Sequence, residues 1–176
     1  MYDKTRVTRE RGTAHQELLP SNAMPEVANL GVVRPPLVYL AAIVIGLVLG
    51  FVWPLAFLPR GFATPVGSVL VVIAVMLFFH STAKFRAAGT PVPGNRPTTV
   101  IVRTGPYGYS RNPIYVAFAL LQLGLAAWTD DLWLIATLMV AIALMSTVVI
   151  PREEKYLERK FGSEYLDYKA KVRRWI

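Results

Sequence analysis

The stretch Arg103-Thr-Gly-Pro-Tyr-Gly-Tyr-Ser-Arg-Asn-Pro-Ile-Tyr115 separates two apolar segments of the chain. It contains glycines and prolines that favour turns, together with two arginines and three tyrosines. Pro113 stands where the second of the two apolar segments begins, and proline is well tolerated in the first turn of a helix. The stretch therefore predicts a polar turn that leads directly into an apolar helix.

Apolar segments that contain no Asp, Glu, Lys or Arg fill most of the chain on both sides of this turn. These uncharged gaps are 35–59, 61–83, 112–129 and 132–151. About 20 apolar residues cross a bilayer core as a helix, and only 17% of all residues are charged, against about a quarter in soluble domains. We therefore predict an all-α integral membrane protein with four transmembrane helices, at about 37–57, 65–83, 113–128 and 132–150.

The basic residues alternate between the two sides that these four spans define. Lys and Arg number five before the first span, one after it, five between the second and third, none between the third and fourth, and eight in the tail. Because loops rich in Lys and Arg stay in the cytoplasm, both termini are predicted to be cytoplasmic. The net charge of +8 is then explained by orientation and by attraction to anionic lipids. Membrane lipids, and not nucleic acid, are the predicted partners; the oligomeric state stays open.

The regions outside the spans divide the chain further. Residues 1–34 are polar and predict a mobile cytoplasmic arm, followed by a membrane domain at 35–176. Within that domain, residues 84–112 form a long cytoplasmic connection. The tail, residues 152–176, has apolar side chains at helical spacing and predicts amphipathic helices, divided at Gly162. Such helices lie on the membrane surface or fold back over the bundle, and the spacing does not decide between the two.

Two short patterns predict how the spans pack. Only the neighbourhood of Asp130 and Asp131 separates the third span from the fourth, so these spans form a tight antiparallel hairpin. Gly46 and Gly50 place two small residues one helical turn apart on the first span, a spacing that permits close contact with another helix. The hairpin brings the start of the third span beside Arg152-Glu153-Glu154, at the end of the fourth.

The polar groups expected at this end of the bundle match a zwitterionic ligand that carries a ring. Arg111 can donate two hydrogen bonds to a carboxylate, and Glu153 or Glu154 can accept from hydroxyl or ammonium groups. The tyrosines of residues 103–115 offer flat surfaces for a ring or a cation. The alternative is structural: Arg111 and Arg152 pair with the two glutamates, and the tyrosines form an interfacial belt. The residue types favour the two interpretations equally.

Cysteine is absent from the chain, so disulfides, thiolate metal sites and cysteine nucleophiles are excluded. The two histidines, His15 and His80, lie in different contexts and form no ligand cluster. No metal site is predicted.

Two motifs considered together resemble a known family. The first is Gly-Pro-Tyr-x-Tyr-x-Arg-Asn-Pro-x-Tyr at 105–115, and the second is Arg-Glu-Glu-x-Tyr-Leu-x-x-x-Phe-Gly-x-x-Tyr-x-x-Tyr at 152–168. With a hairpin between them, they resemble the isoprenylcysteine carboxyl methyltransferase family and the related phospholipid N-methyltransferases, over about residues 65–176. The resemblance implies a helical membrane enzyme that binds S-adenosylmethionine at the cytoplasmic face and methylates a lipophilic small molecule or lipidated substrate. Carboxyl O-methylation and phospholipid amine N-methylation are the two implied reactions.

The resemblance also implies which residues form the site. The implied cofactor-binding residues are Tyr107, Arg111, Asn112, Pro113, Tyr115, Glu153 and Glu154. The predicted catalytic residues are Arg111, Glu154 and Arg174, since a carboxylate acceptor needs an arginine and an amine acceptor needs a base; the terminal Val-Arg-Arg-Trp-Ile resembles the family's Val-Pro-Arg ending. Many family members have histidine where this chain has Asn112. Asparagine forms hydrogen bonds but does not titrate, so this position is expected to keep a binding role and to lose any role in proton transfer.

The predicted location is the prokaryotic inner membrane, with the active site facing the cytoplasm. Two other functions stay open at this point. A membrane reductase of the sterol-reductase type would bind NADPH, for which the chain offers only scattered arginines. A non-enzymatic membrane scaffold would leave the two glutamates and the Arg-Asn-Pro turn with purely structural roles.

Overall fold

The computed structural model describes residues 34–59, 61–91 and 97–176, so the predicted polar arm lies outside the described residues except for its last residue. The helices are α1 (Pro35–Val52), α2 (Ala63–Ala87), α3 (Pro113–Thr129), α4 (Leu132–Leu144), α5 (Ile150–Phe161) and α6 (Ser163–Lys171). A 3-10 turn, Gly105–Gly108, precedes α3, and a π-helical turn, Met145–Val149, joins α4 to α5. The described residues contain one isolated β-bridge and no strand, which confirms the all-α prediction for this part of the chain.

Within the described residues, three helical segments are long and apolar enough to cross a membrane. They are α1, α2 and the continuous run Leu132–Phe161, which comprises α4, the π turn and α5. Helix α3 is also apolar but has 17 residues, which gives a length of about 26 Å at 1.5 Å per residue. Val48, Phe51, Val69 and Met76 on α1 and α2 are exposed. Large outward apolar surfaces of this kind are typical of contact with a membrane.

The first two helices end at different residues from those predicted. Helix α1 ends at Val52, not at 57, because Pro54 follows two residues later. Trp53, which precedes the proline, has φ −139° and ψ 82°, since a following proline disfavours the helical region. Helix α2 continues beyond 83 to Ala87. Lys84 and Arg86 lie in its last turn, where cations interact favourably with the negative end of the helix dipole.

The fourth predicted span continues as a helix beyond its expected end at Ile150. The helix passes through Pro151 and continues as α5, with the π turn directly before it. Proline inside a helix has no N–H to donate, and its ring presses on the preceding turn. A π turn widens the helix locally, and such turns are found where a helix is irregular or kinked. As a result, Glu153 and Glu154 lie on the same helical rod as the apolar fourth span.

Small residues bring the helices into close contact. A Cβ atom added to Gly67 of α2 would lie 2.8 Å from the carbonyl oxygen of Gly124 on α3, so the two backbones meet directly. On α1, a Cβ atom added to Gly46 would lie 2.8 Å from Leu134 of α4, and one added to Gly50 would collide with the Asp131 carboxylate. The close contact predicted for Gly46 and Gly50 is therefore confirmed, and it follows the general use of small residues between membrane helices.

Helices α3 and α4 form the predicted tight hairpin, with only Asp130 and Asp131 between them. Asp130 has a positive φ of 50°, and its Oδ1 accepts hydrogen bonds of 2.8 Å from the backbone N–H groups of Phe57 and Leu58. Asp131 accepts a 2.9 Å hydrogen bond from the backbone N–H of Trp133 and so caps α4. The hairpin returns the chain to the end of the bundle at which α3 began.

Candidate functional site

A cavity lies where the start of α3 meets α5 and α6. It is lined by all seven residues that the sequence assigned to a cofactor: Tyr107, Arg111, Asn112, Pro113, Tyr115, Glu153 and Glu154. The third predicted catalytic residue, Arg174, lies beside it and is bonded to Glu154. The fold therefore brings the two motifs together at one site.

The 3-10 turn forms one wall of the cavity. It begins at Gly105, whose φ of 63° is easily adopted by glycine. The Tyr107 ring packs edge-on against Phe85 with a centroid distance of 5.0 Å, and the Tyr107 carbonyl accepts a 2.8 Å hydrogen bond from the Tyr168 hydroxyl. Tyr109, in contrast, is 82% exposed and does not line the cavity. Tyr109, one of the three tyrosines considered for a ring or a cation, therefore lies outside this cavity.

The opposite wall carries two buried carboxylates with different partners. Tyr115 donates its hydroxyl hydrogen to Glu153, with distances of 2.8 and 2.9 Å to the two carboxylate oxygens. Among the described residues, Glu153 takes part in none of the ion pairs. A buried carboxylate without a cation is costly, so Glu153 is suited to accept from a cationic or hydroxyl group of a ligand.

Glu154 has several cationic neighbours. Arg174 donates from Nε to Oε1 at 3.0 Å and from Nη2 to Oε2 at 2.9 Å, and these hydrogen bonds raise the pKa of Arg174. Arg111 Nη2 lies 3.3 Å from Oε1, and Lys169 Nζ lies 3.5 Å from Oε2. Lys169 also pairs with Glu158, so two carboxylates face three cations, which leaves positive charge available at this wall.

Arg111 carries part of that available charge. Its side chain is only 10% exposed. The guanidinium lies close enough to the Tyr165 hydroxyl to interact with it, but its Nε and Nη1 atoms, like the Tyr107 hydroxyl, form no hydrogen bond within the described structure. Buried polar groups in native proteins are nearly always hydrogen-bonded. These unpaired donors therefore mark a place where the acceptor atoms of a ligand fit.

The structural interpretation, in which Arg111 and Arg152 pair with the two glutamates, is observed in part. Arg111 does pair with Glu154, but Arg152 is exposed and forms no ion pair in the described part of the chain. Its outward position follows from its place on α5, where the next two residues, Glu153 and Glu154, face the cavity.

Three residues of α6 were missed as site residues. Tyr165 and Tyr168 line the cavity, and Lys169 contacts Glu154. Both tyrosines belong to the apolar spacing of the tail, so the signal was present but was assigned to packing alone. Burial raises the pKa of Tyr165 to about 12 and also raises the pKa of Tyr168, so both hydroxyls stay protonated and able to donate well above neutral pH.

The class of protein follows from comparison with known families. Residues 62–164 match the model of the phospholipid methyltransferase family, a match that spans both the 3-10 turn and the two glutamates. The chain belongs to this family of membrane methyltransferases.

Individual relatives resemble shorter parts of the chain. The chain is 42% identical over 73 residues to the nickel-cobalt-cadmium resistance protein NccN of Alcaligenes xylosoxydans xylosoxydans; the aligned region is 42% of this chain and 34% of the relative. It is 40% identical over 73 residues to the cobalt-zinc-cadmium resistance protein CzcN of Cupriavidus metallidurans, covering 42% of this chain and 33% of the relative. An uncharacterized protein of Haemophilus influenzae is 49% identical over 63 residues, 36% of this chain and the full length of the relative. The aligned regions thus span about a third of the first two relatives.

Proposed function

We propose that this protein transfers a methyl group from S-adenosylmethionine to a lipophilic acceptor at the cytoplasmic face of a membrane. The observation that carries the proposal is one cavity that holds an arginine with unused buried donors and a buried carboxylate with no cationic partner in the described structure. Arg111 has two buried donor atoms without partners, and Glu153 is a buried carboxylate without a cation in the described structure. Membership of a methyltransferase family supports the same reaction.

The residues of the cavity fit this cofactor by its chemical groups. The free donors of Arg111 suit its carboxylate, because guanidinium and carboxylate form strong paired hydrogen bonds. Glu153 suits its ammonium or ribose hydroxyl groups, and the buried faces of Tyr107 and Tyr165 suit its purine ring. When bound, the cofactor would supply a methyl group on a positively charged sulfur atom, and a nucleophile that attacks the methyl carbon in line would displace the sulfur as S-adenosylhomocysteine.

The protein's contribution is then mainly orientation. Holding two reactants in line and excluding water lowers the entropic part of the barrier. Hydrogen bonds restrict two tyrosine side chains of the cavity: Tyr115 donates to Glu153, and Tyr168 donates to the Tyr107 carbonyl. Both keep the walls fixed while the acceptor's head group approaches.

The proposed topology places the site at the cytoplasmic end of four membrane helices. The alternation of basic residues supports this orientation, since the connection before α3 and the tail from Arg152 onward are both rich in Lys and Arg. The same end of the bundle holds the cavity. We therefore expect a prokaryotic inner-membrane enzyme whose acceptor presents its hydrocarbon part to the lipid and its head group to the cavity.

A ligand-dependent rise in the unfolding temperature of the detergent-purified protein tests the cofactor. S-adenosylhomocysteine at 100 times its Kd should stabilise the folded state by about 2.7 kcal/mol, which is roughly 5–11 °C for a chain of this size. NADPH at the same concentration is the control and should have no effect. A rise with NADPH and none with S-adenosylhomocysteine would refute the proposal and favour a reductase.

Two acceptor classes match the catalytic candidates. With Arg111 on the cofactor, a carboxylate acceptor would be held by Arg174, whereas an amine acceptor would lose its proton to a glutamate such as Glu154. Membranes that contain the protein, incubated with methyl-labelled cofactor, distinguish the two. A methyl ester releases labelled methanol in mild alkali and a methylated amine retains the label; absence of labelled lipophilic product would contradict both.

A further inference from the structure

The last five residues form a strap across the site. This C-terminal strap, residues 172–176, leaves α6 and runs past the start of α3. The Arg111 backbone N–H donates a 2.9 Å hydrogen bond to the carbonyl of Arg173. On the far side, the Trp175 indole N–H donates to the hydroxyl of Ser146 in the π turn at 3.2 Å. The strap thus connects the two walls that carry the arginine and the glutamates.

The side chain of Asn112 is committed to this strap. Asn112 precedes α3, a place where asparagine commonly caps a helix, yet its side chain forms no capping hydrogen bond. Instead its Nδ2 donates a 2.9 Å hydrogen bond to the carbonyl oxygen of Arg174. The bond fixes the backbone from which the Arg174 side chain reaches Glu154.

The position of Arg174 decides what remains for Arg111. Arg174 binds both oxygens of Glu154 with its guanidinium fork, while Arg111 reaches only one of them, from a single Nη2 atom at 3.3 Å. Without Arg174, the same carboxylate would be free to take both prongs of Arg111, because arginine and carboxylate favour paired hydrogen bonds. Arg174 therefore competes for Glu154 and leaves Nε and Nη1 of Arg111 without a partner.

We propose that Asn112 is a positioning residue: by tying down the strap it keeps Arg174 on Glu154 and so reserves Arg111 for the carboxylate end of the ligand. The inference rests on the proposed binding of S-adenosylmethionine. It also gives a role to the asparagine that replaces the histidine of the resembling family, a role in which hydrogen-bond donation matters and titration does not.

The test compares two ligands that differ only at the amino-acid end. S-adenosylhomocysteine carries the carboxylate and the ammonium, and 5′-methylthioadenosine is the same thionucleoside with a methyl group in place of the amino-acid chain. Titration calorimetry on the full chain in detergent gives both Kd values. We expect Asn112→Ala to weaken S-adenosylhomocysteine about tenfold and to leave methylthioadenosine within about twofold. Asn112→His, whose ring N–H can donate to the same carbonyl, should restore most of the lost affinity.

A second variant separates the proposed effect from misfolding and tests whether Asn112 acts through Arg174. Arg174→Ala leaves Asn112 in place and should show the same selective loss. Adding Asn112→Ala to it should cost nothing further, since residues that act through one interaction are not additive. Equal weakening of both ligands, or full additivity, would overturn the positioning role while leaving the proposed function intact. Failure of the unaltered protein to bind S-adenosylhomocysteine would overturn both.

Discussion

Replacing Tyr115 by phenylalanine tests the interpretation of Glu153 most directly. The change keeps the ring and removes only the hydroxyl that donates to the buried carboxylate at 2.8 and 2.9 Å. A hydrogen bond to a charged group contributes about 1.5–3 kcal/mol to stability. For a chain of this size that corresponds to a fall in unfolding temperature of roughly 3–12 °C.

Tyr39 provides a matched control. Its hydroxyl is also buried but has no hydrogen-bond partner within the described structure. Tyr39→Phe therefore removes a buried hydroxyl without breaking a hydrogen bond. We expect its unfolding temperature to stay unchanged or to rise, because an unsatisfied buried polar group costs free energy. Both variants are measured by thermal unfolding in detergent without ligand.

A double-mutant cycle assigns the effect to the carboxylate. In a Glu153→Gln background the buried charge is gone, so Tyr115→Phe should cost clearly less than it does in the unaltered chain. Two results would refute the reasoning. One is a change in the free energy of unfolding for Tyr115→Phe that equals the change for Tyr39→Phe within about 0.5 kcal/mol. The other is an equal destabilisation by Tyr115→Phe in the Glu153→Gln background and in the unaltered chain.

Three further perturbations test the site and the frame. Arg111→Ala or Glu154→Gln should abolish binding of S-adenosylhomocysteine in calorimetry while the protein still elutes as a folded species; normal binding by both would show that the site lies elsewhere. Gly67→Ala should lower the unfolding temperature by roughly 2–12 °C, since overpacking costs about 1–3 kcal/mol and the added Cβ would lie 2.8 Å from a backbone oxygen of α3; an unchanged temperature would contradict the close helix contact. Asp130→Asn keeps an oxygen acceptor for the two backbone N–H groups and tolerates the positive φ, so it should be nearly neutral, whereas Asp130→Ala should cost about 1–3 kcal/mol; equal unfolding temperatures for these two variants would count against the role of the side-chain oxygen.

The apolar frame was predictable because it depends on local composition. The uncharged gaps predicted four apolar helices, and helices occupy all four places. The hairpin at Asp130 and Asp131 followed from the shortness of the polar interruption, and Gly162 does separate α5 from α6. Membrane crossing by these helices and the cytoplasmic position of both termini stay predictions.

The details of the site were less predictable because they depend on which face a residue presents. The turn residues of the 103–115 stretch did not reveal that Tyr107 points inward and Tyr109 outward. Nor did the spacing of the tail decide whether it lies on the membrane or folds back. Long-range hydrogen bonds, such as that from the Arg111 backbone to Arg173, place the last residues over the site.

The sequence by itself determined where the helices run, which end of the bundle gathers the polar motifs, and the family that those motifs resemble. These properties follow from hydrophobicity, from charge distribution and from proline and glycine acting on their neighbours. Only the tertiary structure decided that the helix passes through Pro151, that Arg174 and not Arg111 takes both oxygens of Glu154, and that Asn112 holds the strap. The physical reason is that each of these outcomes is a competition between partners distant in sequence, and the fold alone sets the distances over which they compete.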